Sequence, residues 1–126
     1  MERPPGWPHG VQAPGSDAWV RSAVNWLLDL CPPGYRRHEV LRRHPQLLAR
    51  LARHHVTAQV MAARAGYGTV RVDMRDHGVQ VVEAALQVYE VEGAQLAALE
   101  REVALVERAL LDAGRSGSAR GATRRP

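Results

Sequence analysis

The fold is decided by residues 56–96, which read VTAQVMAARAGYGTVRVDMRDHGVQVVEAALQVYEVEGAQL. Apolar residues recur in steps of three and four on both sides of Gly78, which is the spacing of one α-helix face. The two apolar stripes mirror each other, because their members form pairs that lie equally far along the chain from Gly78. The pattern therefore predicts two antiparallel helices that turn at Gly78. The predicted seam residues are Val60, Ala63, Tyr67, Val70 and Met74 before the turn, and Val82, Leu86, Tyr89, Gly93 and Leu96 after it.

The flanking sequence sets the expected length of these helices. The first is predicted over Pro45–Asp76, since proline suits the first helical position, and the second over Val79–Ala113. A shorter amphipathic helix is predicted over Asp17–Leu30, with Trp19 and Trp26 on its wide apolar face. The expected fold class is all-α: a long antiparallel helical hairpin, similar to a coiled coil, with a short N-terminal helix packed on it.

A β-hairpin around the turn is the open alternative. Residues 68–82 alternate apolar and polar on either side of Gly78, which is a hairpin signal. Gly66 and Gly68 also disfavour a helix by about 1 kcal/mol each relative to alanine. The helix is nevertheless favoured, because the mirrored register continues as far as Met74 and a strand would not require it.

The composition of the two ends predicts that they lie outside the core. Residues 1–15 hold four prolines and three glycines, which is typical of a disordered segment. Residues 114–126 (GRSGSARGATRRP) are small, polar and basic, and predict a disordered basic tail. The remaining residues, 16–113, are expected to form one helical domain.

Charge is distributed unevenly along the chain. All seventeen basic residues are arginines and the net charge is +4. Residues 36–64 contain seven arginines and one acidic residue, whereas residues 79–113 contain seven acidic residues and two arginines. Two halves of opposite charge are expected to face each other, with Arg50 near Glu107 and Arg53 facing Glu102. The alternative is that the basic half binds nucleic acid, through the candidates Arg36, Arg37, Arg42, Arg43, Arg50 and Arg53.

The residues that carry most catalytic chemistry form no recognisable site in this sequence. His54 and His55 are adjacent and would point to different sides of a helix, so they do not form a paired metal site. The single cysteine, Cys31, follows a helix C-terminus, where the helix dipole disfavours a thiolate. We therefore expect no catalytic, cofactor-binding or metal-binding residue, and an enzyme is not predicted.

The function predicted from these features is non-enzymatic. No apolar run approaches the roughly 18 residues of a membrane span, so we expect a cytoplasmic protein. The apolar row from Val82 to Leu110 exceeds what the short helix can cover, which predicts a protein partner or a homo-oligomer. The hypothesis is an interaction or scaffold module that acts through its helical surface. The alternative is a nucleic-acid-binding accessory protein that uses residues 36–53 and the basic tail.

Three runs of this sequence also carry a family resemblance. The runs AVNWLLDLCPPGYR (Ala23–Arg36), VLRRHPQLLAR (Val40–Arg50) and HHVTAQ (His54–Gln59) resemble a family of small proteins from high-GC Gram-positive bacteria. The resemblance covers roughly residues 17–112, and the tail departs from the family's pattern. No activity is assigned to that family, so the resemblance implies helical content and a bacterial cytosol, and it transfers no functional residue.

Overall fold

The computed structural model describes the backbone of residues 2–123 and the side chains of residues 2–116. The elements in chain order are α1 (Trp19–Leu30), a 3₁₀ turn (Pro33–Arg37), α2 (Glu39–Arg43), α3 (Pro45–Asp73), a second 3₁₀ turn (Arg75–His77) and α4 (Val79–Thr123). The described residues contain no strand, so the predicted all-α class is confirmed. The β-hairpin alternative over residues 68–82 is wrong, because that stretch is helix, turn and helix.

The chain divides into two compact units. One contains Met1–Arg53 together with Arg101–Pro126, and we call it the bundle unit. The other contains His54–Glu100, and we call it the hairpin unit. The long helices α3 and α4 each contribute to both units.

The bundle unit has a core built from α1, α2 and the parts of α3 and α4 that belong to it. Helix α1 buries Trp19, Ala23 and Leu27 on one face, as its 3.6-residue period requires. It ends at Leu30, because the two prolines that follow cannot continue a helix. The facing core residues are Leu41, Leu48, Ala49, Ala52, Val103, Val106 and Leu110.

The N-terminal segment is part of this core, so the prediction that residues 1–15 are disordered is wrong. Trp7 and Val11 are both buried. The indole N–H of Trp7 donates to the carbonyl oxygen of Val11 at 3.0 Å, and the Trp7 and Trp19 ring centroids lie 6.3 Å apart. Buried aromatic area and a satisfied indole outweigh the disorder that the proline and glycine content suggests.

The hairpin unit turns where the sequence predicts. Gly78 has φ +93°, in the left-handed region that favours glycine, and α4 begins at the next residue. Helix α3 ends at Asp73 rather than Asp76, because the chain tightens into the second 3₁₀ turn before Gly78. Val60 and Val70 are buried, and the other eight predicted seam residues are half-buried.

The predicted disordered tail is also corrected, because α4 continues through Gly114 to Thr123. Gly114 does not end the helix: it is half-buried, and a Cβ there would overlap the side-chain amide of Gln46. That amide donates to the carbonyl oxygen of Leu110 at 3.3 Å. The glycine therefore serves a close approach rather than a stop signal. Residues 124–126 of the predicted tail lie outside the described residues.

Candidate interaction surfaces

An exposed apolar stripe runs along α4 in the hairpin unit. Val81, Ala84, Val88 and Val91 follow one another at intervals of three and four residues, so they share one helix face. The three valine residues are 41%, 59% and 47% exposed. We call these four residues the α4 stripe. It differs from the row that the sequence analysis singles out, whose C-terminal members Val103 and Leu110 are buried.

The stripe is exposed because the hairpin unit has only two helices. Each helix buries one face in the seam between them, and the opposite face has no covering element within the unit. On α3 that outer face carries Met61 and Val72, which are 63% and 62% exposed. Single exposed apolar residues are ordinary on protein surfaces, but several that share a face suggest a contact surface.

The two helices of the seam come close together at its small residues. The Cβ of Ala63 lies 4.0 Å from where a Cβ on Gly93 would stand, so the helix backbones approach closely there. Tyr89 packs over Gly66, where a Cβ would overlap its ring. Beside them lies a groove of about 350 Å³, lined by Val60, Ala63, Arg64, Tyr67, Tyr89, Glu90, Gly93 and Ala97.

Two polar contacts connect the two helices of this seam. The Tyr67 hydroxyl donates to a Glu90 carboxylate oxygen at 3.3 Å. The Thr57 hydroxyl donates to the Glu100 carboxylate at 2.8 Å. The groove, which Tyr67 and Glu90 also line, belongs to the packing of the two helices.

A second apolar surface lies in the bundle unit, and we call it the Tyr35 pocket. Its volume is about 280 Å³. Helix α2 and the start of α3 bring its walls together, and two of them, Val40 and Leu47, are 50% and 42% exposed. Sequence periodicity does not reveal this pocket, because its members come from the first 3₁₀ turn, α2 and the start of α3 and share no common period. The lining residues are Tyr35, His38, Val40, Leu41, Leu47 and Leu51.

The six candidate nucleic-acid arginines do not act as one free basic surface. Arg36 pairs with Asp29, and Arg43 pairs with Glu39 at 3.3 Å. Arg37 and Arg42 have no carboxylate within 4.0 Å among the described side chains. The remaining two are Arg50 and Arg53 on α3, which both pair with the same glutamate on α4.

That glutamate, Glu107, is the one charged side chain that is buried among the described residues. Arg50 Nε lies 2.8 Å from its Oε2, and Arg53 Nη1 lies 2.8 Å from its Oε1. Burial alone would raise the pKa of Glu107, but hydrogen bonds and charge from the two guanidinium groups outweigh it and lower the pKa. The expected partner of Arg50 is thus found, whereas Arg53 pairs with Glu107 instead of Glu102.

Cys31 and the histidines take no part in a reactive cluster. Cys31 is buried, and burial raises the pKa of its thiol, so the neutral form is favoured. Within residues 2–116, no group of three His, Cys, Asp or Glu side chains is placed to hold a metal ion. No helix in the described part of the chain has the length and hydropathy needed to cross a bilayer.

Comparison with known proteins adds no family to this picture, since no family model, curated protein or solved structure matches the chain.

Proposed function

We propose that this chain is a non-enzymatic protein-interaction module whose main contact surface is the α4 stripe. The observation that carries the proposal is that Val81, Val88 and Val91 share one exposed face. Covering about 100 Å² of such apolar surface favours association by roughly 2.5 kcal/mol before the costs of binding. A protein partner can present an apolar face that matches the stripe, whereas a polyanion presents charged groups to it.

The proposal also includes a cellular compartment and assigns no catalytic role. The single buried cysteine fits a reducing compartment, and we place the protein in the bacterial cytoplasm. The reactive residue types are dispersed, so the proposal assigns no catalytic residue and no cofactor.

Site-specific photo-crosslinking in cells tests this proposal. A photoreactive p-benzoylphenylalanine replaces Val88 in one variant, and exposed Gln59 on α3 in the control variant. We expect a covalent protein adduct from position 88 and a much weaker one from position 59. No protein adduct at position 88, in cells where the variant accumulates as a folded chain, contradicts the proposed function.

Nucleic-acid binding is the second candidate, supported by Arg37 and Arg42, which have no carboxylate partner among the described side chains. Four of the six candidate arginines already have such partners, so the charge available for phosphates is small. Nuclease treatment before electrophoresis separates the two functions, because only a nucleic-acid adduct is degraded. If nucleic acid binds, replacing Arg37 and Arg42 by glutamine weakens binding and flattens its dependence on salt concentration.

A further inference from the structure

The two apolar surfaces of this chain carry opposite charge. The first 22 residues of α4, Val79–Glu100, contain four acidic residues and no basic one. The segment Tyr35–Arg53, which supplies the Tyr35 pocket, contains six arginines and a single acidic residue. Four of these arginines pair with carboxylates, and Arg37 and Arg42 carry the positive charge that has no such partner among the described side chains. We propose that the α4 stripe of one copy docks into the Tyr35 pocket of a second copy. This inference rests on the proposed function and names the partner of the same stripe.

The apolar pocket also suits the valine side chains of the stripe in size and polarity. The pocket of about 280 Å³ is lined by four branched aliphatic side chains together with Tyr35 and His38. A valine side chain is short and branched, so it loses little rotamer freedom on entering such a pocket. Val88 is the most exposed valine of the stripe at 59% and is the natural anchor.

Charge selects the pocket over the alternative of two stripes packing together. Glu92 lies one turn after Val88 on α4 and is exposed, so docking brings it towards the basic segment Tyr35–Arg53 that supplies the pocket. In that segment Arg37 and Arg42, which adjoin the lining residues His38 and Leu41 in sequence, have no carboxylate partner among the described side chains. A pair of α4 stripes would instead bring two acidic segments together, which costs free energy through like-charge repulsion.

Each copy carries one stripe and one pocket, so a contact between copies is heterologous. A contact of this kind makes the two surfaces separable by mutation, because each can be disabled on its own.

Two variants disable the surfaces one at a time. Leu47→Glu places a carboxylate in the pocket, in the first turn of α3, where an acidic residue suits the helix dipole. Val88→Glu places a carboxylate at the centre of the stripe, in a good helix-forming context. Val72→Glu, at an exposed valine of α3 outside both surfaces, is the matched control. Because all three positions are exposed, far-ultraviolet circular dichroism should show unchanged helix content.

Sedimentation equilibrium measures the outcome. We expect the full chain to self-associate at micromolar concentration. Each disabling variant should have an association constant lower by about tenfold or more, since a charge must be buried in the contact. The control variant should associate like the unmodified chain. Mixing Leu47→Glu with Val88→Glu should restore association, because the intact stripe of the first fits the intact pocket of the second.

Several results would overturn this inference. A strict monomer at about 100 µM excludes it, because an association with a micromolar Kd is largely complete at that concentration. If the Leu47→Glu variant still self-associates, the copies meet through their stripes and not through the pocket. If the mixture of Leu47→Glu with Val88→Glu fails to associate, the stripe does not dock into the pocket. A crosslink from position 88 to a different protein overturns the second copy as partner while leaving the interaction function intact, whereas no adduct at all removes both.

Discussion

The most direct test of the packing concerns Glu107 and the two arginines that hold it. The carboxylate is buried, with its side chain 6% exposed, whereas the side chains of Arg50 and Arg53 are 54% and 48% exposed. We call Glu107, Arg50 and Arg53 the triad. Removing the carboxylate and removing the two arginines should therefore change the free energy of unfolding by different amounts. Arginine heads that lose their partner can turn to water, but a carboxylate that loses both arginines stays buried.

The magnitudes follow from that asymmetry. Glu107→Gln removes the charge but keeps one oxygen that accepts a hydrogen bond, so we expect unfolding free energy to fall by about 2 kcal/mol. The double variant Arg50→Met, Arg53→Met keeps the aliphatic stems and strands the buried carboxylate. We expect it to lose about 3–5 kcal/mol at neutral pH, as for other buried ion pairs that lose one side.

The pH dependence distinguishes these cases by sign. In the unmodified chain the pKa of Glu107 is lowered on folding, so its contribution is present above the usual value of about 4.3 and is lost as pH falls through the lowered pKa. In the double variant only burial acts, so the pKa rises above about 4.3 and acid relieves the penalty. The stability gap between the two chains should therefore narrow as pH falls through the raised pKa of the double variant, and narrow further below about pH 4.3 through the lowered pKa of the unmodified chain.

Urea unfolding followed by tryptophan fluorescence measures all three chains, because Trp7 and Trp19 lie in the same unit as the triad. A Glu107→Gln variant that loses as much stability as the double arginine variant would refute the asymmetry. A stability gap that widens on acidification would refute the assignment of the buried charge.

Three further predictions use urea unfolding followed by far-ultraviolet circular dichroism, because the hairpin unit contains no tryptophan. Gly68→Ala, in open space within α3, should raise stability by about 0.5–1 kcal/mol, whereas Gly66→Ala should lower it because the new Cβ overlaps a tyrosine ring; equal shifts would contradict the close approach. Trp7→Ala should cost about 3 kcal/mol, since it removes a buried aromatic ring, and an unchanged midpoint would contradict the ordered N-terminal segment. Leu96→Asp should cost about 2 kcal/mol against under about 0.5 kcal/mol for Glu83→Ala, and the reverse order would contradict the seam.

The helical hairpin could be predicted from the sequence because its signal is periodic. The two stripes about Gly78 share a register, and glycine at the turn has the positive φ that this residue allows. Glycine gave a wrong boundary at Gly114, since that residue accommodates Gln46 rather than ending the helix. A glycine in sequence does not reveal whether it serves a turn or a close contact.

The ordered N-terminal segment could not be predicted from composition. Its burial depends on one aromatic ring and one valine, Trp7 and Val11, that reach the core from a segment rich in proline and glycine. Composition averages over such residues, whereas packing depends on individual ones. The bundle unit therefore includes the N-terminal segment, which a simple two-helix hairpin would leave out.

The exposed surfaces also could not be predicted from sequence periodicity alone. Sequence periodicity finds the face of a helix that is apolar, but it does not state which of two apolar faces the fold buries. In α4 the row that contains Val82 and Leu96 enters the seam, and the row that contains Val81 and Val88 stays exposed. Only the mirrored partner row on α3 distinguishes them, because a seam needs two matching faces. The unmatched valine row is therefore where a contact outside the unit should be sought, and the Tyr35 pocket supplies a face of the right chemistry and the opposite charge.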